Sequence, residues 1–468
     1  MVLTALLSVA LPVLLVTSIP DTGRSNAWVI TLGVMVWAGF HLALLCARGT
    51  AALFSFFFWL FVYIFMGLAP TSQLRADLPS TTTPGIDPSQ DSRIALIVVL
   101  GLVMFEIGTL VARSSQARRP LVHRPPDAGV EPVSRTRSVI LLVVGAALSI
   151  YFIRTLGIGT LFSNRANAAT TRQAAWPDSA IRGIVYATAI YPTLIAAGAM
   201  SQLRGSVAQP WRRIGWFGLL FTAVLLAVVV SPLATARYNF GTVLFALTVF
   251  FGSVATAQRV RITMATTLLG FLFIFPVIDV FRSAASGGKA SRGGFFGEYL
   301  SNGDYDGFWQ IGNADLFWRT GDATPFRQLT GSLFFWVPRV VWNDKPLDTG
   351  AMLAQFQGYT YENLSAPMWA EAMVNAGMPG VVIAFLLLGF LLTRMDRRLA
   401  HAMSEHGPWA IVGAVFPVYM TILLRGSWLQ ATGAILVALA CLLFVIPRRK
   451  PGAPAGARRF VPDLAERR

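Results

Sequence analysis

The chain has 468 residues, of which 55% are hydrophobic and only 13% charged, with a mean hydropathy of +0.60 and a net charge of +16. This composition excludes a soluble globular protein of that length, and the lack of alternating apolar and polar strands excludes a membrane β-barrel. The positive charge does not point to nucleic acid, because Lys and Arg fall mostly between apolar runs, where they orient membrane helices.

Apolar runs of 17 or more residues recur along the chain, and each is long enough to cross a hydrocarbon core of about 30 Å as a helix. The pattern predicts an all-α polytopic membrane protein with twelve transmembrane helices and both termini cytoplasmic. Residues 2–19 lack a basic leader and read as a first span rather than a cleaved signal. The next connection, 20–26, is short and carries the lone Asp21. Spans 27–46 and 51–69 follow, then a nearly neutral Pro/Thr/Ser-rich loop at 70–93. Span 94–112 holds Glu106, which is expected to pair with another helix. The linker 113–137 carries Arg113, Arg118, Arg119, Arg124, Arg135 and Arg137.

Span 138–157 leads to a polar loop, 158–182, with Arg165 just beyond the membrane helix. Span 183–202 is followed by Arg204, Arg212 and Arg213. Span 214–233 meets span 241–257 through a tight hairpin holding Arg237, and Arg259 and Arg261 precede span 262–281. At its end Asp279 and Arg282 are expected to form a local ion pair. Three final spans at 376–393, 408–424 and 430–447 enclose Arg394, Arg397 and Arg398 on one side and a tight hairpin with Arg425 on the other. A basic tail occupies 448–468. With this count the arginine-rich linkers share one side, which the positive-inside rule makes cytoplasmic. The chain thus divides into spans one to nine (1–281), one large extracytoplasmic loop (282–375), spans ten to twelve (376–447) and the tail.

The 94-residue loop carries seven Lys or Arg and nine Asp or Glu. That is too long for a connector, and long loops commonly carry function. It is expected to fold as short helices on the outer surface. Its Gly/Ser-rich part, 283–297, is expected to be mobile. Residues 304–318 (DYDGFWQIGNADLFW) alternate acids with aromatics. Residues 331–342 (GSLFFWVPRVVW) are too short to span and read as a half-inserted or interfacial helix with Trp at headgroup depth. Cys46 and Cys441 have no metal-like spacing, and His41, His123, His401 and His406 form no cluster, so no metal or other cofactor is expected.

Ionisable groups at membrane depth are read as functional by default. Arg165, Arg237, Arg339, Lys345 and Arg425 all lie near the expected outer face. Together they are expected to line one outward basic cavity, and a diphosphate is the natural ligand for converging cations. Taken singly, each also fits a cation snorkelling to headgroups. Glu371, in MWAEAMVN, fits either a general base or sugar-hydroxyl acceptor, or a carboxylate favoured by a helix N-terminus. Asp344 beside Lys345 is either catalytic or paired.

The order of motifs VPRVVWNDKP, SAPMWAEAMVNAGMPGVVIAFLLLGFLLTRMDRR and a tight RGS hairpin resembles the oligosaccharide repeat-unit polymerases of the Wzy type, also called O-antigen polymerases. The likeness rests on Pro338, Arg339, Trp342, Lys345, Pro346, Glu371, Asn375 and Gly377, within roughly the last 140 residues. It implies a GT-C-like, metal-independent glycosyltransferase of the bacterial cytoplasmic membrane with an outward-facing site. Such an enzyme moves a growing glycan from one polyprenyl diphosphate to the non-reducing end of a second lipid-linked repeat unit, building a cell-surface polysaccharide. The resemblance gives Glu371, Arg339 and Arg425 catalytic roles. It has Arg165, Arg237 and Lys345 hold the diphosphate, with Trp342 and Asn375 on the glycan. Its partners are the lipid-linked oligosaccharide, membrane lipids, and a chain-length regulator or other envelope-assembly proteins.

Rival readings are weighed by the same features. The other large class of polyprenyl-sugar transferases carries acids in a substantial first loop, and 20–26 is too short for that. An O-antigen ligase shares the architecture but is characterised by a loop histidine, and none lies between 282 and 375. A flippase or transporter of lipid-linked glycans would show paired repeats, which are absent here. A scaffold role in envelope assembly is also weighed.

Overall fold

The structure is a computed structural model and describes residues 2–117, 133–274, 276, 294–402 and 407–447. Every regular element there is helical. Nine helices among the described residues are long and apolar enough to cross a membrane. The protein is therefore an all-helical, multi-pass membrane protein. We label the main helices α1 (Val2–Ser18), α2 (Ala27–Arg48), α3 (Leu53–Ala76), α4 (Asp91–Ala117), α5 (Arg135–Leu156), α6 (Arg165–Ala175), α7 (Ser179–Leu203), α8 (Gln209–Val229), α9 (Arg237–Phe250) and α10 (Ala257–Leu269). In the loop region follow α11 (Gly307–Arg319), α12 (Arg327–Leu333) and α13 (Thr349–Gln357). Last come α14 (Met368–Ala402), α15 (Pro408–Arg425) and α16 (Trp428–Val445).

The nine membrane-length helices are α2, α3, α4, α5, α7, α8, α14, α15 and α16, so three of the twelve expected spans are shorter among the described residues. Helix α1 has 17 residues, α9 has 14, and α10 has 13 before a π turn at Gly270–Ile274. The chain turns after Phe250 because Gly252 takes φ +99° and Thr256 then caps α10, its hydroxyl accepting from Arg259 N at 3.3 Å. The expected Asp279–Arg282 pair, residues 283–293 of the Gly/Ser-rich stretch, most of the 113–137 linker, His123, His406 and the basic tail lie outside the described residues. The expected interfacial helix over 331–342 is corrected: α12 ends at Leu333 and the following residues form turns. The Phe334 N–H closes the last turn on the Thr330 carbonyl (2.9 Å), and Pro338, which has no N–H, cannot continue the ladder.

Helix α3 is the centre of the bundle, 89% buried in its apolar window, whereas α16 is only 22% buried. Phe217 and Val224 on α8 and Leu443 on α16 stand 74%, 67% and 68% exposed, as side chains facing lipid do. Helices α4 and α14 cross so closely that their backbones touch. A Cβ on Gly389 would lie 2.0 Å from the Phe105 carbonyl oxygen, and one on Gly108 would lie 2.1 Å from that of Leu386. Thr393 donates to Thr109 across the same crossing (3.2 Å). Small residues do this work in membranes because packing, not water exclusion, joins the helices.

The loop after α10 lies on the bundle end rather than hanging free. The Gln73 amide, fully buried on α3, donates to the Tyr299 and Tyr305 carbonyls (3.0 and 3.2 Å) and accepts from the Trp309 indole (2.6 Å). Arg24 ties Asp77 (2.8 Å) to Asp91 (2.9 Å), and Asp315 on α11 takes Arg93 and Arg319 (2.6 and 2.8 Å). At the opposite end Ser134 N meets the Val445 carbonyl (2.9 Å), and Asp396 caps α3 by accepting from Phe54 N and Ser55 N (2.9 Å each). Arg137 also lies at that second end, donating to the Phe444 and Ile446 carbonyls (3.4 and 3.2 Å).

Replacing Gly389 with Leu is expected to force α4 and α14 apart, a loss of about 2–4 kcal/mol. A thermal unfolding scan in detergent would show it as a marked drop, while Gly159→Ala, where a Cβ meets nothing within 4 Å, leaves the transition in place.

Candidate functional site

Two arginines from separate parts of the chain, Arg237 and Arg425, meet one loop carboxylate, and the field of a third, Arg165, reaches it. Arg165 opens α6, Arg237 opens α9 and Arg425 closes α15. The carboxylate is Asp304, in a single 3₁₀ turn at Gly303–Tyr305 whose start is capped by the Asn302 side chain, accepting from Asp304 N at 2.8 Å. Arg425 Nη2 donates to the Asp304 carbonyl at 2.9 Å and to its Oδ1 at 3.1 Å, and Nε donates to the carbonyl at 3.1 Å. Arg237 Nη2 lies 3.3 Å from Asp304 Oδ2 and 3.8 Å from Glu298 Oε1. The field of Arg165 also reaches Asp304, although Arg165 itself is exposed.

Burial pushes the Asp304 carboxyl up, but Arg425, then Arg237, then Arg165 outweigh it and hold the group below the ordinary aspartate value. Asp306, two residues on, is pushed the other way by burial, against Arg425 and Ser365. Its Oδ2 accepts from Ser365 N (3.1 Å) and Thr82 Oγ1 (3.3 Å), while Oδ1 has no hydrogen-bond partner. Burial likewise raises Tyr305, to about 12. The Arg425 guanidinium rests 5.9 Å over the Phe65 ring. Asp304 keeps 41% of its side chain accessible and Arg425 keeps 27%, so the cluster is open to a ligand.

Glu371 and Asn375 shape this site from behind. Glu371 is fully buried in the first turn of α14, and its Oε1 accepts the Trp428 N–H at 2.9 Å, at the start of α16. Its Oε2 has no hydrogen-bond partner. A carboxylate at a helix N-terminus is favoured by the dipole, and here it fixes the Arg425–Trp428 hairpin. The Ala366 N–H to Arg425 carbonyl bond (2.9 Å) adds a second anchor. Asn375 donates to the Glu371 carbonyl (2.7 Å) and accepts from Leu329 N (2.8 Å), clamping α12 to α14. Helix α14 then breaks at Ala376 and Gly377. Gly377 takes φ +59°, and a Cβ there would lie 2.6 Å from the Trp318 ring, so glycine is required twice over.

The five cations expected to share one cavity divide into two groups. Arg339 donates to the Lys345 and Pro346 carbonyls (2.7 and 3.2 Å), and Lys345 donates to the Phe335 and Val337 carbonyls (2.5 and 3.0 Å). These contacts close the 334–346 turn, and Trp342 sits half-buried in it. Burial, then Arg339, lowers the Lys345 ammonium. A turn without helix or strand leaves many carbonyls unpaired, and the two cations satisfy them. Asp344 pairs through its backbone, its carbonyl accepting from Arg327 at 2.9 Å. Glu106 meets His41 at 3.2 Å, as an interhelical partner was expected for it. Sequence reasoning did not single out Asp304, Asp306 or Glu298. The acid–aromatic alternation of 304–318 marked the region without indicating which acid would face cations.

Among the described residues no three His, Cys, Asp or Glu side chains gather to hold a metal ion. Comparison with known proteins finds no matching family model, no similar curated protein and no similar solved structure.

Asp304→Asn isolates the carboxylate charge. Because the folded value is depressed, its stabilisation is complete above the unfolded aspartate value of about 3.9 and is lost as pH falls through the folded value. The stability gap between wild type and D304N, followed by thermal unfolding in detergent, is expected to stay constant from neutral pH downward and to close only below about pH 4.

Proposed function

We propose that this protein is a glycosyltransferase that joins polyprenyl-diphosphate-linked oligosaccharide units on the outer face of a bacterial cytoplasmic membrane. The observation that carries the reading is the meeting of Arg237 and Arg425 at the partly open Asp304, which the field of Arg165 also reaches, at one bundle end. The order of motifs from Pro338 to the Arg425 hairpin, similar to that of Wzy-type polymerases, supports it. Arg137 lies at the other end, and the positive-inside rule, applied to the arginine-rich linkers of the sequence, supports assigning that end to the cytoplasm.

In this mechanism the three guanidinium groups receive the diphosphate, displacing or sharing the contacts of Asp304. An acceptor hydroxyl attacks the anomeric carbon, the bond to the diphosphate breaks, and the cations neutralise the departing charge. Fixed cations at a partly desolvated site stabilise such charge well. The hydroxyl proton leaves to a base. Glu371, the candidate from sequence, is fully buried and holds the hairpin that carries Arg425, so we assign it a positioning role.

Arg237→Ala and Arg425→Ala are each expected to cut turnover roughly a hundredfold, read as loss of long-chain polymer on gels from cells lacking the native copy. Normal long-chain product from both variants would end the reading. Chelators are expected to leave purified activity unchanged.

Glu371→Gln keeps an oxygen for the Trp428 N–H but cannot take a proton. It is expected to retain polymer synthesis, whereas Glu371→Ala loses it. Loss in both would return Glu371 to the role of base.

A further inference from the structure

A cavity of about 300 Å³ lies apart from the Asp304 cluster, between α11, α12 and the turn that precedes α13. That volume is at the small end of ligand pockets, about 300–1,000 Å³. Its walls combine the Phe317 ring, Leu347 and Val374 with the carboxylates of Asp322 and Asp344. Its floor is Gln328, 4% exposed, whose amide nitrogen rests against Met352 Sδ (2.9 Å) and whose Oε1 has no hydrogen-bond partner. A buried amide oxygen without a partner is unfavourable by roughly 1–3 kcal/mol and calls for a donor.

Charges of both signs line this cavity, Arg327 and Lys345 beside Asp322 and Asp344. Lys345 donates to two carbonyls of its own turn, and Arg327 donates to the Asp344 carbonyl. Beside an aromatic ring the cavity thus offers acceptors, in two carboxylates and the Gln328 oxygen, together with the remaining N–H donors of Arg327 and Lys345. A ligand with several hydroxyl donors and an apolar ring face matches that set. A hydroxyl also donates and accepts at once, so it pairs with either end of the amide.

We propose that this cavity binds one neutral sugar ring and, resting on the transferase reading above, serves as a subsite for the acceptor glycan. Val374 sits on the same turns of α14 as Glu371 and Asn375, so the ring would be seated against the element that positions Arg425.

The test uses the full-length protein in phosphatidylcholine nanodiscs, free of sugar-headed detergent. Saturation-transfer NMR is recorded with glucose, galactose, mannose and N-acetylglucosamine in turn, and with inorganic pyrophosphate as competitor. At least one neutral sugar is expected to give transfer that pyrophosphate does not displace. Gln328→Leu removes the buried acceptor and Leu347→Trp fills the mouth from its half-open side, and each is expected to weaken binding roughly tenfold. Arg425→Ala is expected to leave it intact. No transfer from any of the four sugars to folded wild type overturns the proposal, as does undiminished transfer in both cavity variants or displacement by pyrophosphate. Because the readout is binding, the cavity stands if sugars bind while polymer assays fail. It falls alone if polymer synthesis needs Arg425 but no sugar binds.

Discussion

Guanidinium groups at the end of a helical bundle are unfavourable there unless each finds charge to balance it, and Asp304 supplies that balance for Arg237 and Arg425 together. The interaction does two things at once. It ties the start of α9 to the end of α15, and it fastens a long loop across both. The loop can reach that position because Gln73, buried on α3, holds Tyr299, Tyr305 and Trp309 with one amide. Fold and site therefore share their parts: the residues that seat the loop also set where the carboxylate stands.

The cluster keeps an unspent attraction for anions. Arg237 and Arg425 face Asp304, Arg237 also faces Glu298, and the nearby Asp306 is pushed by burial towards its neutral form. An anion that enters with more charge than one carboxylate gains more from these fixed cations than Asp304 does. The geometry is held from outside the cluster. Glu371 fixes the first amide of α16, Ala366 fixes the Arg425 carbonyl, and the break at Gly377 lets α14 begin at an angle to its membrane-crossing part.

Much of this was legible in the chain. Long apolar runs located the nine membrane-length helices. Arg237 and Arg425 stood out because tight hairpins held charges close to lipid. Arg339 and Lys345, expected from the long loop to join the same outward face, bond instead to turn carbonyls. Periodicity says nothing about how many carbonyls a non-helical segment leaves unpaired, so the difference was not readable. Asp304 was hidden for a related reason. Its partners are 67 residues before it and 121 after it, and only the docking of the loop brings them together. The end of α9 and the start of α10 depend on turns at Gly252 and Thr256 that hydropathy does not register.

The turn closed by Arg339 and Lys345 shows how the loop meets its surroundings. Trp336, Val340 and Val341 stand 66%, 90% and 77% exposed on it, and Leu333 and Phe334 beside them are exposed as well. Such a patch is unfavourable in water, but it is the composition that settles at the headgroup boundary of a bilayer. With the carbonyls of the turn satisfied from within by the two cations, the segment can enter that boundary without exposing unpaired backbone to it. Lys345, Pro346 and Leu347 carry the chain from this apolar rim to the wall of the cavity around Gln328.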